Sequence, residues 1–392
     1  MDLLGFSLTF FFFVMLLYYK GSTLIQAIST PFSMKWIFLL FLLGAFISTF
    51  FGPNIERAPP IGDDVRYMIQ HVYWIIMAAF FIIFARYLNM LELSKYIFYG
   101  LLASFILFYA PFEIEFKSGL FGINTKPNRN GVIYTNLALI PFSFYYAYTK
   151  WGKRTSVFLL LFFNACIIFT EGRSGTIVFL IETLLIVQVL FPISKILFKV
   201  LLVVFGLFSL IASNPLVEPL LFGFADVIEP ANPRIANLIR GEKDGDLLED
   251  RSWLFRLMMV EKAKEIIALY PMFGIGIHHF SSFDGSLRMS YTERRFAGKT
   301  KAELNKGSPH NSYYMILAEN GIWGMFCVAI LTFIPVLGFI YKILINDKLY
   351  YSDLASAGLL GISIHWYSIA SFMGGVTWLC IALAIISRKL KY

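Results

Sequence analysis

Charge is what this chain has least of. Asp, Glu, Lys and Arg make up 15% of its 392 residues against 58% hydrophobic ones, and mean hydropathy is +0.69. A soluble globular domain is about a quarter charged, so this chain cannot cover itself with polar surface. Cysteine is scarcer still. Cys166, Cys327 and Cys380 all fall inside apolar runs, so neither a disulfide framework nor a zinc site is indicated. No glycine-rich phosphate cradle of the nucleotide-binding type occurs, and no Gly-x-Ser-x-Gly nucleophile turn. Chemistry driven by ATP or by a nucleotide-activated donor is therefore not expected. The marks of a cleavable signal peptide are also missing: residues 3–19 are apolar, but no basic start precedes them and no small-residue cleavage site follows.

What the chain has in quantity is long apolar runs, with 42 Phe and 21 Tyr among them, the pattern of a multi-span membrane protein. Eleven spans are predicted near 3–19, 35–51, 70–87, 96–112, 132–149, 155–170, 174–191, 196–213, 322–343, 353–371 and 373–389. Lipid tolerates no exposed irregular backbone, so each is predicted to be helical. Lys and Arg set the orientation. One set of connections holds fourteen basic and three acidic residues; the other, outside 214–310, holds six basic and seven acidic. The first set is read as cytoplasmic. It accounts for most of the net charge of +8, and no nucleic-acid partner is needed to explain it. The chain then divides into a helical membrane region over 1–213 with about eight spans, an extracytoplasmic loop over 214–310, and a segment 311–392 that carries a motif helix and the last three spans. The loop holds thirteen basic and thirteen acidic residues. Trp253, Phe255, Leu257, Met258 and the run from Val260 to Leu269 predict an amphipathic helix in it, stopped at Tyr270-Pro271. A loop of this length in a compact protein is usually functional, so an active site is expected there.

Several charged residues need an account. Arg173 lies in Thr170-Glu171-Gly172-Arg173-Ser174-Gly175, between two apolar runs. It is either a topology or snorkelling residue, paired with Glu171, or part of an anion site whose glycines let a phosphate approach the backbone. Arg256 stands fifteen residues before Pro271 and the turn Phe273-Gly274-Ile275-Gly276. It is either on a solvated helix face or a ligand for an anion, and Arg251 competes for the same role. His310-Asn311 closes the loop, followed by Glu319, Gly321 and Gly324. A boundary histidine can be structural or, titrating near neutral pH, a general base. Glu182 and Gln188 lie within a span and are expected to face the bundle interior and find partners. His365 is read as a packed, hydrogen-bonded histidine. His278-His279 is a weak metal signal, and no metal is assigned.

Three of these segments together resemble the O-antigen ligase and polymerase family. Pro309-His310-Asn311-Ser312-Tyr313-Tyr314, with Leu317, Glu319, Gly321 and Gly324 behind it, is similar to that family's His-Asn motif and its trailing Glu-x-Gly-x-x-Gly. Arg256 through Pro271 into Gly274-Ile275-Gly276 is similar to its arginine helix and Pro-x-x-Gly-x-Gly turn, and Thr170 to Gly175 to its Arg-Ser-Gly motif. A weaker match runs from Gly122-Ile123-Asn124 to Asn130-Gly131. The motifs occur in family order over roughly 120–339, while the first hundred residues match in hydropathy alone. The family usually has twelve spans, against eleven read here, and more often a small residue near His278.

The resemblance implies an all-α polytopic glycosyltransferase of the GT-C type, with eleven to twelve membrane helices and one long periplasmic loop, in the bacterial inner membrane. It implies an undecaprenyl-diphosphate-linked glycan as donor, inversion at the anomeric carbon, and no metal or cofactor. The acceptor is lipid A-core for a ligase or a lipid-linked oligosaccharide for a polymerase. Carried onto this chain, Arg173 and Arg256 bind the diphosphate with help from Arg251, His310 takes the acceptor proton, and Asn311 or Glu319 steadies the His310 ring. The clean His-Asn motif favours a ligase; a polymerase is the alternative, and a lipid-linked glycan transporter a more distant one.

Overall fold

The structure, a computed structural model, describes residues 35–53, 61–84, 89–109, 115–118, 121–124, 129–169, 173–190, 226–227, 229–230, 251–283, 309, 311–344, 350, 353–366 and 375–389. Nine helices run through them: α1 (Lys35–Phe51), α2 (Ile61–Phe84), α3 (Met90–Tyr109), α4 (Arg129–Phe169), α5 (Arg173–Leu190), α6 (Arg251–Leu269), α7 (Ser312–Leu344), α8 (Asp353–His365) and α9 (Gly375–Lys389). A short antiparallel hairpin between α3 and α4, β1 (Glu115–Ser118) and β2 (Phe121–Asn124), pairs Glu115 with Asn124 and Ser118 with Phe121. It is the one departure from an all-helical architecture among the described residues.

Of the eleven predicted spans, 3–19 and 196–213 lie outside the described residues, and the other nine fall on helices. Their edges moved for a physical reason: hydropathy registers only the apolar part of a helix. α2 begins nine residues before its predicted span, in the charged turn Gly62-Asp63-Asp64. α3 begins at a cap, where Asn89 Oδ1 accepts from the N–H groups of Leu91 and Glu92 at 3.0 and 3.3 Å, and its first turns carry an exposed Glu92–Lys95 pair. α4 contains two predicted spans. They meet at Gly152, whose φ of 75° and ψ of −178° are not helical. The Phe144 and Phe163 rings lie 6.0 Å apart, whereas nineteen residues of straight helix would separate them by about 28 Å, so the chain reverses at Gly152.

The reversed α4 is the hub. α3, α5 and α8 pack on it, α8 also contacts α5, α7 and α9, and α2 lies against α9. Ser94 of α3 donates to Phe142 O and accepts from Tyr146 N–H, both at 3.0 Å, which knits α3 into α4 beside Pro141. The end of α7 is held to the start of α8 by Lys342 and Asp353, 2.6 Å apart, with Asp353 also accepting from Tyr350 N–H. Within this core Glu182 of α5 is fully buried, and Gly361 of α8 leaves room for it. Contrary to expectation, neither carboxyl oxygen meets a hydrogen-bond partner among the described residues. His365 is buried, as a packed histidine should be.

Large apolar side chains also stand on the outside of the bundle. Trp36, Leu39, Leu43 and Phe46 form an exposed stripe on α1; Phe158 and Leu161 stand out on α4, and Ile322, Phe326, Phe333 and Leu337 on α7. Among the described residues one helix, Ser312–Ile343, is long and apolar enough by length and composition to cross a membrane. Trp36–Phe51, Val178–Val189 and Val376–Ile386 are shorter apolar helices. The 17 residues of α1 reach about 26 Å, a little short of a hydrocarbon core of about 30 Å.

Candidate active site at the break of the motif helix

α6 forms where the periodic pattern predicted it. Met259, Ala263 and Ile266 make its buried face, and Glu261 and Lys264 pair at 2.9 Å on its exposed one. It stops because Pro271 has no N–H to continue the ladder; Gly274 N–H closes the end onto Tyr270 O at 3.1 Å. Gly274 and Gly276 then take φ of 72° and 103°, a region open to glycine at little cost.

α7 opens with Asn311 as its cap. The Asn311 Oδ1 accepts from Tyr313 and Tyr314 N–H at 3.0 and 3.2 Å, satisfying two of the helix's free donors. Ser312 N–H donates to Trp366 O at 2.8 Å and Tyr313 OH to Ser363 O at 2.7 Å, which fixes this end to α8. Nine residues on, α7 breaks at Gly321, with φ 64° and ψ −166°. The turn from α6 occupies the break. Ile275 N–H donates to Ala318 O (3.0 Å) and Gly276 N–H to Glu319 O (2.9 Å), while Ile322 N–H donates to Pro271 O (2.8 Å) and Trp323 N–H to Met272 O (3.1 Å). The Pro-x-x-Gly-x-Gly and Glu-x-Gly-x-x-Gly segments are thus two halves of one joint.

Residues from the first hundred surround it. Ser48 Oγ donates to Glu319 O at 3.3 Å, and Thr49 Oγ1 accepts from Ile277 N–H at 3.1 Å. His278, itself at φ 61°, stacks on the Tyr67 ring at 3.9 Å and meets the His71 ring edge-on at 5.8 Å. Burial, with His71 and His279 close by, lowers its pKa to about 4. His279 Nδ1 donates to Ile275 O at 2.7 Å. Ser48, Thr49, Tyr67 and His71 were not legible as part of this joint; polar residues at the edge of an apolar run were their only signal in the sequence.

Glu319 is fully buried, and its Oε1 accepts from Phe280 N–H at 3.3 Å. Its Oε2 and both amide atoms of buried Asn320 meet no partner among the described residues. Lys262 of α6 is also buried, its Nζ 4.8 Å from the Phe280 ring.

Of the residues singled out in the sequence, His310 lies outside the described residues. The backbone puts Arg173 at the start of α5 and Arg251 and Arg256 in the first turns of α6; their side chains lie outside the described residues. Gly175 lets α5 approach α4 closely: a Cβ there would lie 2.2 Å from Ile133 Cγ2. Asn311 caps its own helix. No group of three or more His, Cys, Asp or Glu positioned for a metal occurs among the described residues. Asp244 and Asp246, an Asp-x-Asp pair in the long loop, lie outside them.

No curated protein matches the chain. The O-antigen ligase family model matches residues 155–329. That stretch runs from the second arm of α4 through Arg173, the arginine helix α6 and the 271–276 turn to the first half of α7, and so contains both halves of the joint. Over it, the chain is similar to the O-antigen ligase family.

Proposed function

We propose that the protein is a multi-pass inner-membrane glycosyltransferase that moves a glycan from undecaprenyl diphosphate to a sugar hydroxyl at the periplasmic face. The observation that carries this reading is the joint. It packs α6, which bears Arg251 and Arg256, against α7, which begins one residue after His310-Asn311. That packing supports a role for α6 and the start of α7 in one site. The exposed apolar stripes on α1, α4 and α7 support a lipid surround, since soluble monomers rarely expose contiguous apolar area on that scale. The basic bias of the opposite connections supports a periplasmic loop.

In this reading the acceptor oxygen bonds to the anomeric carbon as the bond from that carbon to the diphosphate oxygen breaks, with inversion. Negative charge grows on the departing undecaprenyl diphosphate, where the guanidinium groups of Arg173 and Arg256, assisted by Arg251, stabilise it most. His310 accepts the proton of the acceptor hydroxyl. The reaction needs neither nucleotide nor metal. The His-Asn motif favours lipid A-core as acceptor, making the enzyme a ligase; joining lipid-linked repeat units, as a polymerase, uses the same chemistry.

Deleting the gene and resolving lipopolysaccharide on a gel separates the readings. Core without a ladder, with polymer retained on undecaprenyl diphosphate, is the ligase outcome. Core carrying a single repeat unit is the polymerase outcome. An unchanged ladder contradicts both.

A further inference from the structure

In a regular α-helix Ala318 O would accept from Ile322 N–H and Glu319 O from Trp323 N–H. Gly321 opens both bonds, and all four released groups are taken up by Pro271, Met272, Ile275 and Gly276. The exchange loses little in hydrogen bonding but demands close approach. A Cβ on Gly321 would lie 2.3 Å from Met272 O, and one on Gly274 would lie 2.4 Å from Glu319 C. Both obstacles are backbone, so neither can step aside. Glu319 adds a side-chain clasp through Phe280 N–H, and Phe280 packs with Met259, Ala263, Ile266 and Ala318 in one cluster. Helix, turn and helix are therefore held as a unit.

From this we infer that Glu319, with Gly274 and Gly321, is a positioning residue of the transfer: it keeps the 271–280 turn seated in the break of α7 and so fixes the arginine helix relative to the His310 end of α7. This is a different task from steadying the His310 ring. It rests on the roles given above to Arg256 and His310. Donor diphosphate and acceptor hydroxyl are then aligned by a backbone joint that touches neither.

The test uses the full-length protein in lipid nanodiscs, with a lipid-diphosphate-linked glycan and its acceptor. Turnover is expressed per donor-binding site, counted with labelled donor so that misfolded molecules drop out. Because misplacement by about 1 Å can cost about a hundredfold, Glu319→Ala should lose roughly that much turnover while donor KM stays within about threefold. Glu319→Gln should recover most of it, because the amide oxygen still accepts from Phe280 N–H. Gly321→Ala should resemble Glu319→Ala; if it does not fold, the Glu319 pair still decides. Wild-type turnover per site in Glu319→Ala, or in a folded Gly321→Ala protein, overturns the inference. So does a Gln variant as inactive as the Ala variant, which would make the charge or proton of Glu319 the operative feature. Arg173→Ala and Arg256→Ala, assayed alongside, keep the two readings apart. Full activity in both removes the diphosphate reading whatever Glu319 does, whereas loss in both with intact turnover in Glu319→Ala removes the positioning role alone.

Discussion

His278 and His279 are adjacent in sequence and do unrelated work. His279 donates from Nδ1 into its own turn, while His278 holds a left-handed backbone conformation and stacks on Tyr67 beside His71. With its folded pKa near 4 and an unfolded value near 6.5, His278 binds its proton first in the unfolded chain as pH falls. Its contribution is intact above pH 6.5 and is lost as pH drops from there towards 4. Thermal denaturation of the detergent-solubilised protein should therefore show a loss on the order of 2 kcal/mol between pH 7 and pH 4.5 from this residue. His278→Asn keeps a residue tolerant of the left-handed region but does not titrate, so its loss should be visibly smaller. Equal losses would place the acid sensitivity elsewhere. At this scale the sequence was legible for residue type more than for partner. Asn311 was singled out beside His310 and caps its own helix, whereas the Asn320 amide, which meets no partner among the described residues, and the buried ammonium of Lys262 had no signal, because burial there depends on elements remote in the chain.

Helices were readable where their limits are local. The stop of α6 at Pro271 is covalent chemistry, and the reversal at Gly152 follows from a glycine among Lys150, Lys153 and Arg154. The break in α7 was not readable as a joint, since each half needs the other to satisfy its backbone and about forty residues separate them. Glycines on paper look alike, yet their surroundings divide them. Gly358 of α8 lies against α4, where a Cβ would sit 2.4 Å from Ala138 O; at Gly100 of α3 nothing lies within 4 Å. Gly358→Ala should push α8 off α4 and cost about 1–3 kcal/mol. Gly100→Ala should stabilise by about 0.5–1 kcal/mol through helix propensity alone. Melting midpoints of the two purified variants check this, and a Gly358→Ala midpoint at or above wild type would contradict the packing described.

For the molecule as a whole, composition and the order of three short motifs sufficed to indicate the helical class and the likeness to the O-antigen ligase family over residues 155–329, because hydropathy and chemistry-bearing residues are written locally. The first hundred residues matched in hydropathy alone, yet the end of α1 and the middle of α2 press Ser48, Thr49, Tyr67 and His71 around the joint. That contribution depends on tertiary packing and leaves no periodic trace. In the proposed function this arrangement transfers a glycan from a lipid diphosphate with His310 as the base. It is tested most directly by incubating the purified protein with an undecaprenyl-diphosphate-linked glycan and lipid A-core, then following product and released undecaprenyl diphosphate together. Both should appear in equimolar amounts, and His310→Ala should lose about a hundred- to ten-thousand-fold in turnover with donor binding retained. Donor left intact with every acceptor offered, lipid-linked oligosaccharide included, or His310→Ala turning over like wild type, would contradict it.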